Sequence, residues 1–151
     1  MDSKLKRLTD NEIREEYLSR FLKTPGERLK SSADSAEHLR AFLDNQPKDQ
    51  EHFMVVFMNA QNQIISTEVI SSGSLATAAV YPREIVKRLL DLEAGAIICS
   101  HNHPSGETIP SNSDKALTRK LQQALESIDV ALLDHVIIGH GFYSFSDQGL
   151  L

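Results

Sequence analysis

The residues best suited to chemistry lie close together between positions 101 and 114, a stretch that reads HNHPSGETIPSNSD. His101 and His103 are two residues apart at the end of an apolar segment, and in a strand this spacing turns both imidazoles to one side. After a loop with proline and glycine, Asp114 stands at the start of a helical pattern and can return a carboxylate to the same point. Two imidazoles and one carboxylate suit Zn²⁺ and leave a fourth position for water, as in catalytic sites.

The same residues also fit an interpretation without a metal. A His-x-His pair at the end of a strand is more often a surface or hydrogen-bonded pair than a ligand pair. Ser111 and Asp114 have the spacing of a capping box, which is common at helix starts. The two uses of the helix start are compatible, because Ser111 can cap the helix while the second oxygen of Asp114 faces an ion. From the residues alone, both interpretations stay open.

Alternating strands and helices are predicted around these residues, which places the chain in the α/β class. The continuously apolar run FMVVFM at 53–58 is typical of a strand buried on both faces, and a turn leads to a second strand at 63–70. A Gly/Ser loop at 71–74 follows. The later predicted elements are a helix from Pro82 with Ile85, Val86, Leu89, Leu90 and Leu92 inward, a strand at 96–99, a helix from about Asn112, and strands at 130–138 and 142–145.

The first third of the chain predicts two short amphipathic helices, one capped by Asp10 and one after Ser32 or Asp34. A polar segment with a proline follows at 46–50 and indicates a boundary. With 151 residues, the chain is long enough for one buried core but too short for two ordinary domains. We therefore expect a helical N-terminal appendage at 1–47 and one α/β domain at 48–151.

Charge and composition narrow the classes of function. Residues 51–151 hold six Lys/Arg and eleven Asp/Glu, and the whole chain has a net charge of −5, so duplex DNA binding is unsupported by charge. A single cysteine, Cys99, excludes a disulfide framework and a zinc finger and is expected in the core. No apolar run reaches the roughly 18 residues of a membrane span, and the N-terminus has no signal sequence, so we expect a soluble cytoplasmic protein without a membrane partner.

Several blocks of the sequence match a known family. The pattern His101-x-His103-x7-Ser111-x-x-Asp114 agrees at every position with the JAMM motif of the JAB/MPN metalloprotease superfamily. Further blocks resemble the RadC family of that superfamily: DQEHF at 49–53, YPRE at 81–84, HNHPSG at 101–106 and DH at 134–135. The resemblance covers about residues 31 to 150. The chain resembles a short RadC form without the N-terminal helix-hairpin-helix domain that is usual in the family.

This resemblance implies a fold and a set of roles. The fold would be an α/β/α sandwich with a mixed central sheet, like that of the cytidine deaminases. His101, His103 and Asp114 would hold Zn²⁺, and Ser111 would stabilise the oxyanion. A glutamate far upstream would move the proton as general base; we assign this role to Glu51, with Glu107 as the runner-up.

The implied activity is zinc-dependent hydrolysis of amide bonds, of the peptidase or isopeptidase type, on a peptide or protein substrate. The alternatives are a DNA repair or recombination accessory factor of the RadC type and a non-catalytic, metal-stabilised binding module. A metal-dependent nuclease is disfavoured because 101–114 contains no Lys or Arg to offset phosphate charge. A homo-oligomer stays open. Of the other histidines, His135 is expected to be hydrogen-bonded within the fold, and His38, His52 and His140 are expected at the surface.

Overall fold

The computed structural model describes residues 7–73 and 80–151 and contains nine helices and strands within them. Its helices are α1 (Asp10–Phe21), α2 (Ser32–Leu43), α3 (Pro82–Asp91) and α4 (Asn112–Glu126). Its strands are β1 (Glu51–Met58), β2 (Ile64–Gly73), β3 (Ala96–Asn102), β4 (Ala131–Ile138) and β5 (Phe142–Ser144). The five strands form one sheet in the order β2-β1-β3-β4-β5, with β3 and β4 parallel and the other neighbours antiparallel. The predicted α/β class and mixed sheet are confirmed.

Strand β1 explains why the structure has three layers. Its side chains alternate between the two faces of the sheet, and both faces are buried. Phe53, Val55 and Phe57 pack in one cluster with residues of α3 and α4. Met54, Val56 and Met58 pack in another cluster with Ala36 and Leu39 of α2. The continuously apolar run in the sequence therefore marks a strand with a helical layer on each side.

Helix α2 thus shares a core with the sheet, and its Arg40 also donates hydrogen bonds to the carbonyls of Gly139 and Gly141 beyond β4. The division into 1–47 and 48–151 stays a prediction. Within the described residues, no helix is both long enough and apolar enough to cross a bilayer.

Several local predictions are wrong in detail. The predicted loop at 71–74 continues strand β2 as far as Gly73, and Ser74 lies outside the described residues. Leu90, expected to face inward, is 61% exposed, because Ile85 and Leu89 form the buried face of α3. Helix α1 is capped by Thr9 and not by Asp10.

His38 and His52, expected at the surface, are buried. His52 contacts Ser72 Oγ through Nδ1 at 2.7 Å and donates from Nε2 to the carbonyl of Pro47 at 2.8 Å. His38 Nδ1 accepts from the backbone N–H of Lys23 at 2.9 Å, and its Nε2 contacts Thr67 Oγ1 at 2.9 Å. Each imidazole replaces its hydration with partners from other segments, which makes burial tolerable.

His38 predicts a loss of stability in acid. Burial lowers its pKa from 6.5 to about 4, and a proton on Nδ1 would oppose the Lys23 N–H. The unfolded chain therefore binds this proton first, and the free energy of unfolding should fall between pH 6.5 and pH 4 by up to about 3 kcal/mol from this group. When the free energy of unfolding is measured by urea denaturation across this range, its dependence on pH should be less steep in His38→Asn than in the unsubstituted protein. Equal slopes in the two proteins would contradict the assignment.

Candidate metal centre

Strand β3, at the centre of the sheet, carries the first histidine to the site. His101 pairs with Phe53 of β1 on one side and Ile137 of β4 on the other, and only 2% of it is exposed. The next residue is fixed by its side chain: Asn102 accepts from the His52 N–H at 2.7 Å and donates to the Gln50 carbonyl at 3.0 Å. A rigid, doubly paired strand thus holds the imidazole of His101 with little freedom.

The loop after β3 is held against the turn after β4. His103 donates its backbone N–H to the Ile138 carbonyl at 2.9 Å, and the His140 N–H donates to the Gly106 carbonyl at 2.8 Å. Gly106 has φ = +90°, a conformation that glycine adopts without strain. Its neighbour across the contact is also glycine, because a Cβ at Gly139 would clash with the Gly106 carbonyl oxygen. This packing keeps His103 beside His101.

Three residues form a group that could hold a metal ion: Glu51, His101 and His103. Each offers one ligand atom, and these atoms all lie within 4.8 Å of one another. The Nε2 atoms of the two imidazoles are 2.9 Å apart, and Oε1 of Glu51 is 3.9 Å from Nε2 of His101. Phe53 of β1 pairs with His101 of β3, and the two strands are antiparallel. Glu51 lies two residues before Phe53, and His103 lies two residues after His101. The sheet register therefore brings Glu51 opposite His103.

Asp114 brings a second carboxylate still closer to the imidazoles. Its Oδ1 lies 3.4 Å from Nε2 of His101, and its Oδ2 lies 3.6 Å from Nε2 of His103. Burial alone would raise the pKa of Asp114, but hydrogen bonding to His101 and to the Ser111 N–H holds it well below its ordinary value. The carboxylate is ionised at neutral pH, as a metal ligand must be.

The capping interpretation of Ser111 and Asp114 is confirmed and coexists with this placement. Ser111 is the N-cap of α4: its Oγ accepts from the Asp114 N–H at 3.0 Å, and Oδ2 of Asp114 accepts from the Ser111 N–H at 2.8 Å. Oδ1 of Asp114 takes no part in the cap and faces His101. Both sequence interpretations of the helix start are therefore compatible with one geometry.

The second nitrogen of each imidazole has a partner of its own. His103 Nδ1 donates to the carbonyl of Glu107 at 3.0 Å, and His101 Nδ1 contacts His135 Nε2 at 2.8 Å. Such partners on the far nitrogen orient histidine ligands in metal sites. With the Nδ1 atoms engaged, both Nε2 atoms are directed to the same point between the carboxylates, so the donor set fits a divalent metal ion.

His135 is hydrogen-bonded within the fold, as its sequence context suggests, and it contacts the site through His101. It is fully buried, and burial lowers its pKa well below the ordinary value, so it is neutral. Its Nδ1 contacts Thr118 Oγ1 at 2.6 Å. Sequence reasoning missed Thr118, although its spacing of four residues from Asp114, one helical turn, was a signal that the two share a face of α4.

Three other residues with reactive side chains have different surroundings. Cys99 is buried in the core, where burial raises the pKa of its thiol. Glu68 forms a bidentate ion pair with Arg88 at 2.8 and 2.9 Å. The backbone carbonyl of Glu107 accepts a hydrogen bond from His103 Nδ1, and Glu107 as a whole is exposed. Glu51 is therefore the upstream glutamate that the fold brings to the imidazoles.

A cavity of about 340 Å³ opens beside the group. Its walls are Asp49, Glu51, His103, Pro104, Ser105, Ser111 and Asp114. A second cavity of about 550 Å³ lies on the other side of the loop and shares His103 and Pro104 with the first. His103 and Pro104 thus border both cavities.

Comparison with known proteins agrees with the motif. The sequence model of the family described as "RadC-like JAB domain" matches residues 29–150. The chain is 42% identical over 135 residues to the UPF0758 protein YfjY of Escherichia coli K12. These residues are 89% of this chain and 83% of that protein. The chain is 43% identical to the UPF0758 protein YkfG of the same strain, with 89% and 84% covered.

A third relative is longer. The UPF0758 protein Nmul_A2138 of Nitrosospira multiformis is 48% identical over 130 residues, which are 83% of this chain and 58% of that protein. The chain therefore spans more than half, but not two thirds, of this relative. The match to the family extends across both the helix α2 and the whole sheet, and it includes every residue of the group at the candidate centre. The chain belongs to the RadC-like JAB domain family.

Proposed function

We propose that the protein is a zinc-dependent hydrolase of amide bonds, acting on peptide or protein substrates. The observation that carries the proposal is the convergence of two imidazole Nε2 atoms, 2.9 Å apart, with carboxylates from two other elements, β1 and α4. A purely structural clip needs the ligands alone. Here a second carboxylate, a hydroxyl and a cavity accompany them, as a hydrolytic site requires.

His101, His103 and Asp114 would hold the zinc. Their donor set of two nitrogens and one oxygen is typical of catalytic zinc, and the two Asp114 oxygens lie nearer to the imidazoles than the nearest Glu51 oxygen does. Bound zinc supplies Lewis-acid chemistry, polarising a carbonyl and acidifying water.

Glu51 is left free to move a proton. Its side chain is 16% exposed and lines the 340 Å³ cavity, where it can take a proton from water and deliver it to the leaving amine. Ser111 lines the same cavity. Its Oγ accepts from the Asp114 N–H, so its hydroxyl proton remains available to donate to the oxygen of a substrate carbonyl as negative charge develops there.

The charge of the cavity favours an amide over a phosphodiester. Asp49, Glu51 and Asp114 contribute three carboxylates to its wall, and the stretch 101–114 contains no Lys or Arg. A phosphodiester would meet this negative charge without a Lys or Arg from the wall of this cavity to offset it, whereas a peptide carbonyl is neutral. The second cavity, across His103 and Pro104, gives room for a peptide that extends past the loop.

Incubation with a mixture of peptides and isopeptides, followed by mass spectrometry, tests the proposal. The zinc-loaded protein should cleave amide bonds with incorporation of one oxygen from ¹⁸O-water. Cleavage should stop when zinc is removed by a chelator and return when zinc is added back, because metal-binding residues remain intact. Cleavage that survives complete zinc removal, or hydrolysis of phosphodiesters alone, would contradict the proposed function.

A further inference from the structure

A line of hydrogen-bonding groups runs from the candidate centre into the core. His103 Nε2 contacts His101 Nε2 at 2.9 Å, and His101 Nδ1 contacts His135 Nε2 at 2.8 Å. His135 Nδ1 contacts Thr118 Oγ1 at 2.6 Å, and this hydroxyl can donate to the Asp114 carbonyl at 2.7 Å. The line begins at one proposed ligand and ends at the backbone of another.

At one end of the line, it is fixed which atom donates the hydrogen bond. The Glu107 carbonyl can only accept, so His103 carries its proton on Nδ1 and presents a bare Nε2. Without an ion, the 2.9 Å contact between the two Nε2 atoms then needs the proton of His101 on Nε2, since two bare nitrogens would repel. His101 Nδ1 is bare in that state and accepts from Nε2–H of His135, whose Nδ1 accepts the Thr118 hydroxyl proton.

Ion binding requires that donors and acceptors along the line exchange roles. His101 can offer Nε2 to an ion only with its proton on Nδ1, which then donates to Nε2 of His135. His135 must carry its own proton on Nδ1 and donate it to Thr118 Oγ1. The single hydroxyl proton of Thr118 has a second acceptor in reach, the Asp114 carbonyl. Every donor keeps an acceptor in both arrangements.

We propose that His135 and Thr118 are positioning residues that reverse their hydrogen bonds when zinc binds, so that His101 presents a bare Nε2. The inference rests on the zinc site of the proposed function. The number of protons is the same in both states. The proton on Nε2 of His101 passes to solvent, the proton on Nε2 of His135 moves to Nδ1 of His101, the Thr118 hydroxyl proton moves to Nδ1 of His135, and the Thr118 oxygen takes one proton from solvent. Net charge in the line does not change.

His135 gives the sharpest readout, because its ring does not contact the ion. In protein with ¹⁵N-labelled histidines at mildly alkaline pH, one- and two-bond ¹⁵N–¹H correlations show which nitrogen carries the proton. We expect Nε2–H on His135 in the zinc-free protein and Nδ1–H after zinc is added. The same tautomer in both states would overturn the relay. Failure of the unsubstituted protein to bind zinc would instead overturn the proposed function.

Two substitutions at Thr118 separate positioning from packing. Thr118→Val keeps the shape but removes the oxygen that accepts from His135, and it should weaken zinc binding by ~10- to 100-fold, the usual effect of losing an outer partner of a histidine ligand. Thr118→Ser keeps the hydroxyl and should stay within about threefold of the unsubstituted protein, well below that range. Zinc affinity is measured by competition with a chromophoric chelator. Equal losses in both variants would assign Thr118 to packing and overturn its role in the relay.

Discussion

His103→Ala is expected to abolish stoichiometric zinc binding and the stabilisation that zinc gives. The substitution removes one of two neighbouring imidazoles, whose Nε2 atoms lie 2.9 Å apart. No other described side chain in the wall of the 340 Å³ cavity is an imidazole that could replace it. The loss of a direct ligand should exceed the ~10- to 100-fold effect of losing an outer partner. Because a ligand that binds only the folded state stabilises it, zinc at a hundredfold excess over Kd should add about 2.7 kcal/mol to the unsubstituted protein.

The measurement is metal content after gel filtration, together with thermal unfolding with and without added zinc. Lys87→Ala is the control, because Lys87 is exposed on α3 and lies outside the wall of the 340 Å³ cavity and outside the proposed ligand set. The control should retain one zinc and the rise in Tm. Equal zinc content in His103→Ala and the unsubstituted protein would place the ion elsewhere.

Glu51→Gln is expected to keep the zinc and lose the activity. The amide is nearly the same size as the carboxylate but cannot accept a proton from water, so turnover of the amide substrate should fall by ~10² to 10⁴, the range for a lost general base. The zinc content should remain that of the unsubstituted protein, because Asp114 provides the carboxylate ligand in this assignment. Turnover and metal content are measured on the same preparation.

Two results would change the assignment. If Glu51→Gln loses its zinc, Glu51 is a ligand, which its place within 4.8 Å of both imidazole nitrogens permits. If Glu51→Gln retains turnover while Glu107→Gln abolishes it, Glu107 is the base. Glu84→Gln, in the exposed first turn of α3, is the control and should leave both quantities unchanged.

The features that could be predicted from sequence are those set by neighbouring residues. The apolar run of β1 specifies a strand covered on both faces, and the spacing of Ser111 and Asp114 specifies the capping box that begins α4. The two-residue spacing of His101 and His103 specifies their shared side. Each of these needs only the local period of the backbone, so the sequence contains enough information.

The features that could not be predicted depend on register and on contacts between distant segments. Glu51 is fifty residues from His101 and is named from sequence only through the family resemblance, because its place opposite the histidines depends on the antiparallel pairing of Phe53 with His101. His38 resembles a surface histidine until Lys23 and Thr67 are seen to complete its hydrogen bonds. Thr118 shows no chemistry in the sequence, and its importance follows from its contact with His135.

Anomalous diffraction at the zinc absorption edge, from crystals of the zinc-loaded protein, tests the central claim most directly. We predict one anomalous peak per chain, bonded to His101 Nε2, His103 Nε2 and an oxygen of Asp114 at about 2.0–2.2 Å. Glu51 should approach this centre without bonding to it. A peak away from the two histidines, a peak bonded to Glu51 in place of Asp114, or no peak in protein prepared without chelator and loaded with zinc would contradict the account.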